Sequence, residues 1–144
     1  MKHFGTRTAL AISGAILAVI GSWIMAAPTV FLAISEVIVE NDAGLLSEVT
    51  APSGLLIMAG TFMIISAIKV RLASLGLATG ALVYGSYGFS RLVSQYLHGT
   101  PSDQLVTVMW FELAVAALLL ALSPRVQSTP PIKQLNAFYQ QVTQ

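Results

Sequence analysis

The chain has 144 residues, of which 56% are hydrophobic and only 9% charged, with a formal net charge of +1. Soluble domains carry about 25% charged residues, so this deficit points to an integral membrane protein of one domain. The small net charge gives no reason to expect nucleic acid as a partner, and the absence of cysteine excludes disulfides, thiolate metal sites and cysteine nucleophiles.

Four apolar segments follow one another, at residues 8–31, 52–68, 72–97 and 105–122. Each approaches the ~20 residues that a helix needs to cross the hydrocarbon core. None alternates as a barrel strand would. The expected fold is therefore all-α: an integral membrane four-helix bundle, up-down-up-down, over residues 1–123. The first segment has a signal-peptide look, with Lys2 and Arg7 ahead of it and Ala26 and Ala27 behind it. Its apolar core exceeds the usual ~7–15 residues, so it is read as an uncleaved span.

Charge sets the expected orientation. On an up-down-up-down path Lys2, Arg7, Lys69, Arg71, Arg125 and Lys133 share one side. Glu36, Glu40, Asp42, Glu48 and Asp103 share the other. The positive-inside rule makes both termini cytoplasmic. Between the first two spans, residues 35–51 form an acidic outer loop in which Ile34, Val37 and Ile38 could line a short interfacial helix. Pro52 opens the second span. Lys69–Arg71 is a tight inner turn, and 97–103 is an outer turn broken by Gly99 and Pro101, where Ser102 or Asp103 can cap the next helix. Trp23, Tyr96 and Trp110 fall toward the outer leaflet as anchors.

Beyond Pro124 lies a cytoplasmic tail, residues 124–144, with Pro130 and Pro131 at a helix start. Ile132, Leu135, Phe138, Tyr139 and Val142 recur at helical spacing over 130–142 and make a short amphipathic helix. Such a face either rests on lipid or docks on a partner.

The chemistry concentrates in the third and fourth spans. Arg91 and Glu112 each sit inside an apolar run. Counted from the turn between them, they lie about 10 and 12 Å below the outer surface at 1.5 Å per residue. Antiparallel neighbours would hold them at one level as an intramembrane ion pair. Tyr84, Tyr87, Gly88, Arg91, Ser94 and Gln95 are linked by steps of three and four and share a face. Two readings fit this polar stripe: glue that fixes helix register, or the lining of an outward-opening ligand cavity. Gly76 and Gly80 form a GxxxG step continued by Gly88, and Gly14, Ala18 and Ser22 form a second small stripe. Both allow close helix packing, within one chain or in a homo-oligomer. His98 reads as a solvated turn residue. No metal site, cofactor site or nucleophile–base pair is visible, so a membrane enzyme with Glu112 as acid or base and Arg91 as anion clamp ranks last among the readings.

Ser47-Glu48, Gly54-Leu55-Leu56, Gly60, Gly88-Phe89-Ser90-Arg91-Leu92-Val93-Ser94, Gly99-Thr100-Pro101-Ser102 and Glu112-Leu113 together resemble a family of small bacterial four-helix membrane proteins. That family is known only as a domain of unknown function, and it is more distantly similar to the DoxX-like membrane proteins. The resemblance covers about residues 9–122 and implies architecture, not activity. The family pattern has Asp where this chain has His98, and Arg where it has Thr50. The expected role is that of an accessory or interaction subunit among other membrane-protein subunits and membrane lipids. The alternative is a binder or transporter of a small amphipathic molecule, a lipid or quinone, at the Arg91–Glu112–tyrosine face.

Overall fold

A computed structural model describes residues 2–38 and 42–123. The described residues are all-helical, without strands: α1 (Lys2–Ala26), α2 (Pro28–Ala33), α3 (Ala43–Ile68), α4 (Ala73–His98) and α5 (Asp103–Leu122), with one 3₁₀ turn at Val70–Leu72 before α4. The segment 130–142, with Ile132, Leu135, Phe138, Tyr139 and Val142, lies outside the described residues.

Three of these helices are long and apolar enough to cross a membrane: Phe4–Ala26, Ala43–Ile68 and Asp103–Leu122. Burial agrees with their composition. Only Met109, Ala116 and Leu119 of α5 are buried, while Trp110, Phe111, Leu118 and Leu120 stay exposed. A water-soluble monomer rarely leaves so much contiguous apolar surface uncovered. The fourth long helix, α4, is not among the three. It has the length, but Ser86, Ser90, Arg91, Ser94, Gln95 and His98 dilute its apolar content.

The element boundaries depart from the sequence reading in three places. The first apolar segment is two helices, because Ala27 takes an extended φ and Pro28 starts α2. That helix ends at a left-handed Glu36 (φ 62°), where the Glu36 and Val37 amides return to the carbonyls of Ala33 and Leu32. This is a Schellman closure. It leaves Ile38 almost wholly exposed, so Ile34, Val37 and Ile38 form no interfacial helix. Third, Pro52 lies inside α3 and does not open it. The true start is Asp42, whose carboxylate accepts from the Leu45 amide at 2.9 Å.

The helices run antiparallel in sequence, as their contacts show. Along α1 and α3, Arg7 lies at Ala67, Gly14 at Gly60 and Gly21 at Ser53. Steps of seven in one helix match steps of seven back along the other, the repeat that keeps two helices in contact along a seam. A Cβ on Gly14 would stand 2.7 Å from the Gly60 carbonyl oxygen, and one on Gly21 would stand 2.8 Å from that of Ser53. Ala18 packs on Gly60 from the same face. Ser22, placed in that stripe by sequence, is exposed and bonds back to the Ala18 carbonyl of its own helix. In the same way Gly76 and Gly80 admit Ser66 and Met63 of α3, and Gly80 and Gly88 admit Leu119 and Leu113 of α5. Leu10, Met63, Leu77 and Leu119 fill the core between the two pairs.

Each end of the molecule is tied together. At one, Arg7 Nε donates to the Ala67 carbonyl at 2.7 Å, which satisfies one of the orphan carbonyls at the end of α3. At the other, Ser102 Oγ donates to the Ser35 carbonyl at 3.0 Å, and the Gln104 amide reaches Glu36 at 3.4 Å. Ser102 therefore holds α2 to α5 and does not cap α5 with its side chain.

Two glycines of α3 test the close seam. Gly60→Ala puts a methyl group against backbone that cannot swing aside, and overpacking of this kind costs about 1–3 kcal/mol. Gly54→Ala adds its methyl to open space and should be neutral or stabilising, since Ala favours a helix interior by about 0.5–1 kcal/mol. Circular dichroism melts of both variants in one detergent should show a lower Tm for Gly60→Ala only. Equal melting temperatures would refute the seam.

Candidate functional site

Arg91 and Glu112 meet between α4 and α5, with Arg91 Nε donating to Glu112 Oε2 at 3.1 Å. Antiparallel packing makes this possible: Gly88, one turn before Arg91, receives Leu113, one residue after Glu112. The side chains are 35% and 13% exposed respectively, so the carboxylate is the deeper partner. The bond is single. A guanidinium carries five N–H donors, and among the described residues Arg91 uses only the one on Nε. Glu112 accepts only at Oε2, which leaves Oε1 without a protein donor among those residues.

The pair stands at a boundary between two spaces. On one side is a cavity of about 140 Å³. Its walls are Leu17, Ile20 and Ile24 of α1, Phe31 of α2, Leu56 of α3 and Val83 of α4, closed by Val108 and Phe111 of α5. Tyr84, Tyr87, Arg91 and Glu112 complete its lining and bring its polar groups. On the other side a smaller recess, about 110 Å³, lies under the 99–102 turn between Arg91, Ser94, Gln95, Leu105, Val106 and Met109. The stripe expected from sequence is thereby divided. Tyr84, Tyr87 and Arg91 reach the apolar cavity; Ser94 and Gln95 do not and line the recess under the turn, with the Gln95 amide 3.5 Å from the Thr100 hydroxyl.

The two tyrosines do different work. Tyr84 is buried, and its hydroxyl donates to the Ser13 carbonyl at 2.8 Å, tying α4 to the middle of α1. Its ring meets Phe111 edge to face at 6.4 Å. Tyr87 is half-buried, and its hydroxyl bonds to no described residue. Phe31 is held over the cavity by α2, with Trp23 packed edge to face at 5.6 Å. The apolar wall drawn from α1, α2 and α3 was not foreseen from sequence. Its residues look like ordinary core, and only the kink at Ala27 could have hinted that Phe31 turns inward.

Among the described residues no three His, Cys, Asp or Glu side chains gather in a way that could hold a metal ion. His98 is exposed at the end of α4. What the arrangement offers chemically is recognition: free donors and a free acceptor at the floor of a lipophilic hole.

The family comparison covers nearly all of the described helices. The model of the family described as Domain of unknown function (DUF4345) matches residues 5–123, most of the 144-residue chain, and the protein belongs to that family. No curated protein and no solved structure matches it.

A double-mutant cycle measures the pair. Arg91→Met and Glu112→Met each leave one charge without its partner and should lower stability. The double variant removes both charges and should recover much of the loss, with a coupling of roughly 0.5–3 kcal/mol. Additive losses in denaturant or thermal melts would show that the two charges are not coupled.

Proposed function

We propose that this protein binds a small amphipathic molecule in the cavity beside Arg91 and Glu112. One observation carries the reading. Four of the five Arg91 N–H donors, together with Glu112 Oε1 and the Tyr87 hydroxyl, have no partner among the described residues, and all three residues line an otherwise largely apolar cavity. A pair serving only to hold register would be expected to spend its hydrogen bonds on the protein, because unsatisfied polar groups are costly in a membrane. Ligand pockets have this form, with mostly apolar walls and a few convergent polar groups. The accessory-subunit reading draws on the 130–142 segment and on composition. No contact among the described residues favours it over the cavity.

We place the chain in the inner membrane of a bacterium as a four-span, up-down-up-down bundle with both termini cytoplasmic, and we regard the distant DoxX likeness as one of architecture. Two observations support the topology. Arg7 binds the end of α3 beside Lys69 and Arg71, gathering the basic residues at one end. Glu36 meets Gln104 beside Asp103 at the other, where Asp42 also starts α3. In this placement α4 spans as the partner of α3 and α5, with Arg91 paired to Glu112 of α5. Arg91 then lies deep enough to need both Glu112 and a ligand or water.

The test is co-purification. Lipid-soluble small molecules extracted from the wild-type protein are compared with those from Val108→Trp, which adds bulk to the cavity lining and keeps both charged side chains. The wild type should carry a molecule that Val108→Trp has lost, although both melt as folded protein. Identical extracts would reject binding at this cavity.

A further inference from the structure

We infer that the head group held at Arg91 and Glu112 is a neutral, hydroxyl-bearing six-membered ring and not an anion, a conclusion that rests on the binding reading above. Three features lead to it.

The first is charge. Arg91 is already neutralised by Glu112 at 3.1 Å. A carboxylate or phosphate placed on the free guanidinium edge would bring a net negative charge into an apolar cavity and set it close to the Glu112 carboxylate. Burying unbalanced charge is among the most expensive steps available to a protein. A neutral head keeps the site neutral.

The second is the hydrogen-bond pattern. The polar residues lining the cavity carry unpartnered donors on Arg91, an acceptor at Glu112 Oε1 and the Tyr87 hydroxyl, which can do either. A hydroxyl matches this set with one atom: its oxygen accepts from Arg91 and its proton goes to Glu112. A group that only accepts would leave Oε1 desolvated and unpaired. The third feature is size and lining. The cavity of about 140 Å³ compares with the ~150 Å³ apolar cavities in proteins that take up benzene. Phe31, Tyr84, Tyr87 and Phe111 supply aromatic walls, and Tyr84 and Phe111 are already set edge to face. Aromatic rings pack well against rings so arranged.

Full-length protein in detergent is incubated with an equimolar mixture of 4-octylphenol, octylbenzene, 1-octanol and octanoate, and retained ligand is read by native mass spectrometry. 4-Octylphenol should be retained over octylbenzene and over octanoate by about tenfold each, the factor expected for a lost net hydrogen bond or an unbalanced charge. It should also exceed 1-octanol, which has the hydroxyl but no ring. Tyr87→Phe, which removes one hydroxyl and leaves the ion pair intact, should reduce 4-octylphenol severalfold and leave octylbenzene unchanged. Preference for octanoate would overturn the neutral head while leaving binding at the cavity in place. Equal retention of octylbenzene would overturn the hydroxyl, and equal retention of 1-octanol would overturn the ring. If Val108→Trp retains all four probes as the wild type does, the binding reading itself fails, and this inference with it.

Discussion

Where Gly14 and Gly60 face each other, the backbones of α1 and α3 meet with no side chain between them. No apolar solvent effect drives helices together in lipid, so association depends on close contact, and small residues are what permit it. Gly14, Ala18 and Gly21 on one helix, with Ser53 and Gly60 on the other, repeat at or near steps of seven and hold the pair along most of its length. The buried serines do not disturb this. Ser53 and Ser66 return their hydroxyls to the Thr50 and Phe62 carbonyls of their own helix, so no side-chain polar atom buried among the described residues lacks a partner.

The rigidity of α1–α3 makes the rest of the molecule a question of how α4 and α5 lean on it. The order of residues along α4 answers that. Its first half offers Gly76 and Gly80, which let Ser66, Met63 and Leu119 come close and seal the seam. Its second half offers Tyr84, Tyr87 and Arg91, which line the cavity together with residues of α1 and α5. The Tyr84 bond to the Ser13 carbonyl fixes α4 to α1 between the two halves, while toward α5 close packing continues past it, with Gly88 receiving Leu113.

How much of this was legible in the sequence follows from the range of each interaction. The levels of Arg91 and Glu112 could be read because helical rise and a short turn fix depth without any tertiary knowledge. Gly76, Gly80 and Gly88 were legible as packing residues for a similar reason, since small residues at helical spacing in apolar runs have few other uses. Pro52 misled because proline usually marks a helix start, whereas inside lipid or packed protein it is tolerated in the interior. Arg7 read as a topogenic charge; its bond to the Ala67 carbonyl spans sixty positions of sequence and leaves no local trace. Glu36 in a left-handed conformation was invisible too, because that position normally selects glycine and here carries none.

The division of the polar stripe shows what helical periodicity can and cannot say about a site. Tyr84, Tyr87, Arg91, Ser94 and Gln95 share a face of α4, but a face is a line and a cavity is a volume. What separates Tyr87 from Ser94 is Glu112, coming from another helix to meet Arg91 between them. With that carboxylate in place the guanidinium becomes a partition, its Nε spent on the neighbouring helix and its other nitrogens left to the spaces on either side. The bond that fixes α4 against α5 also holds the guanidinium in the lining of both spaces, a position that a side chain free to swing would not keep.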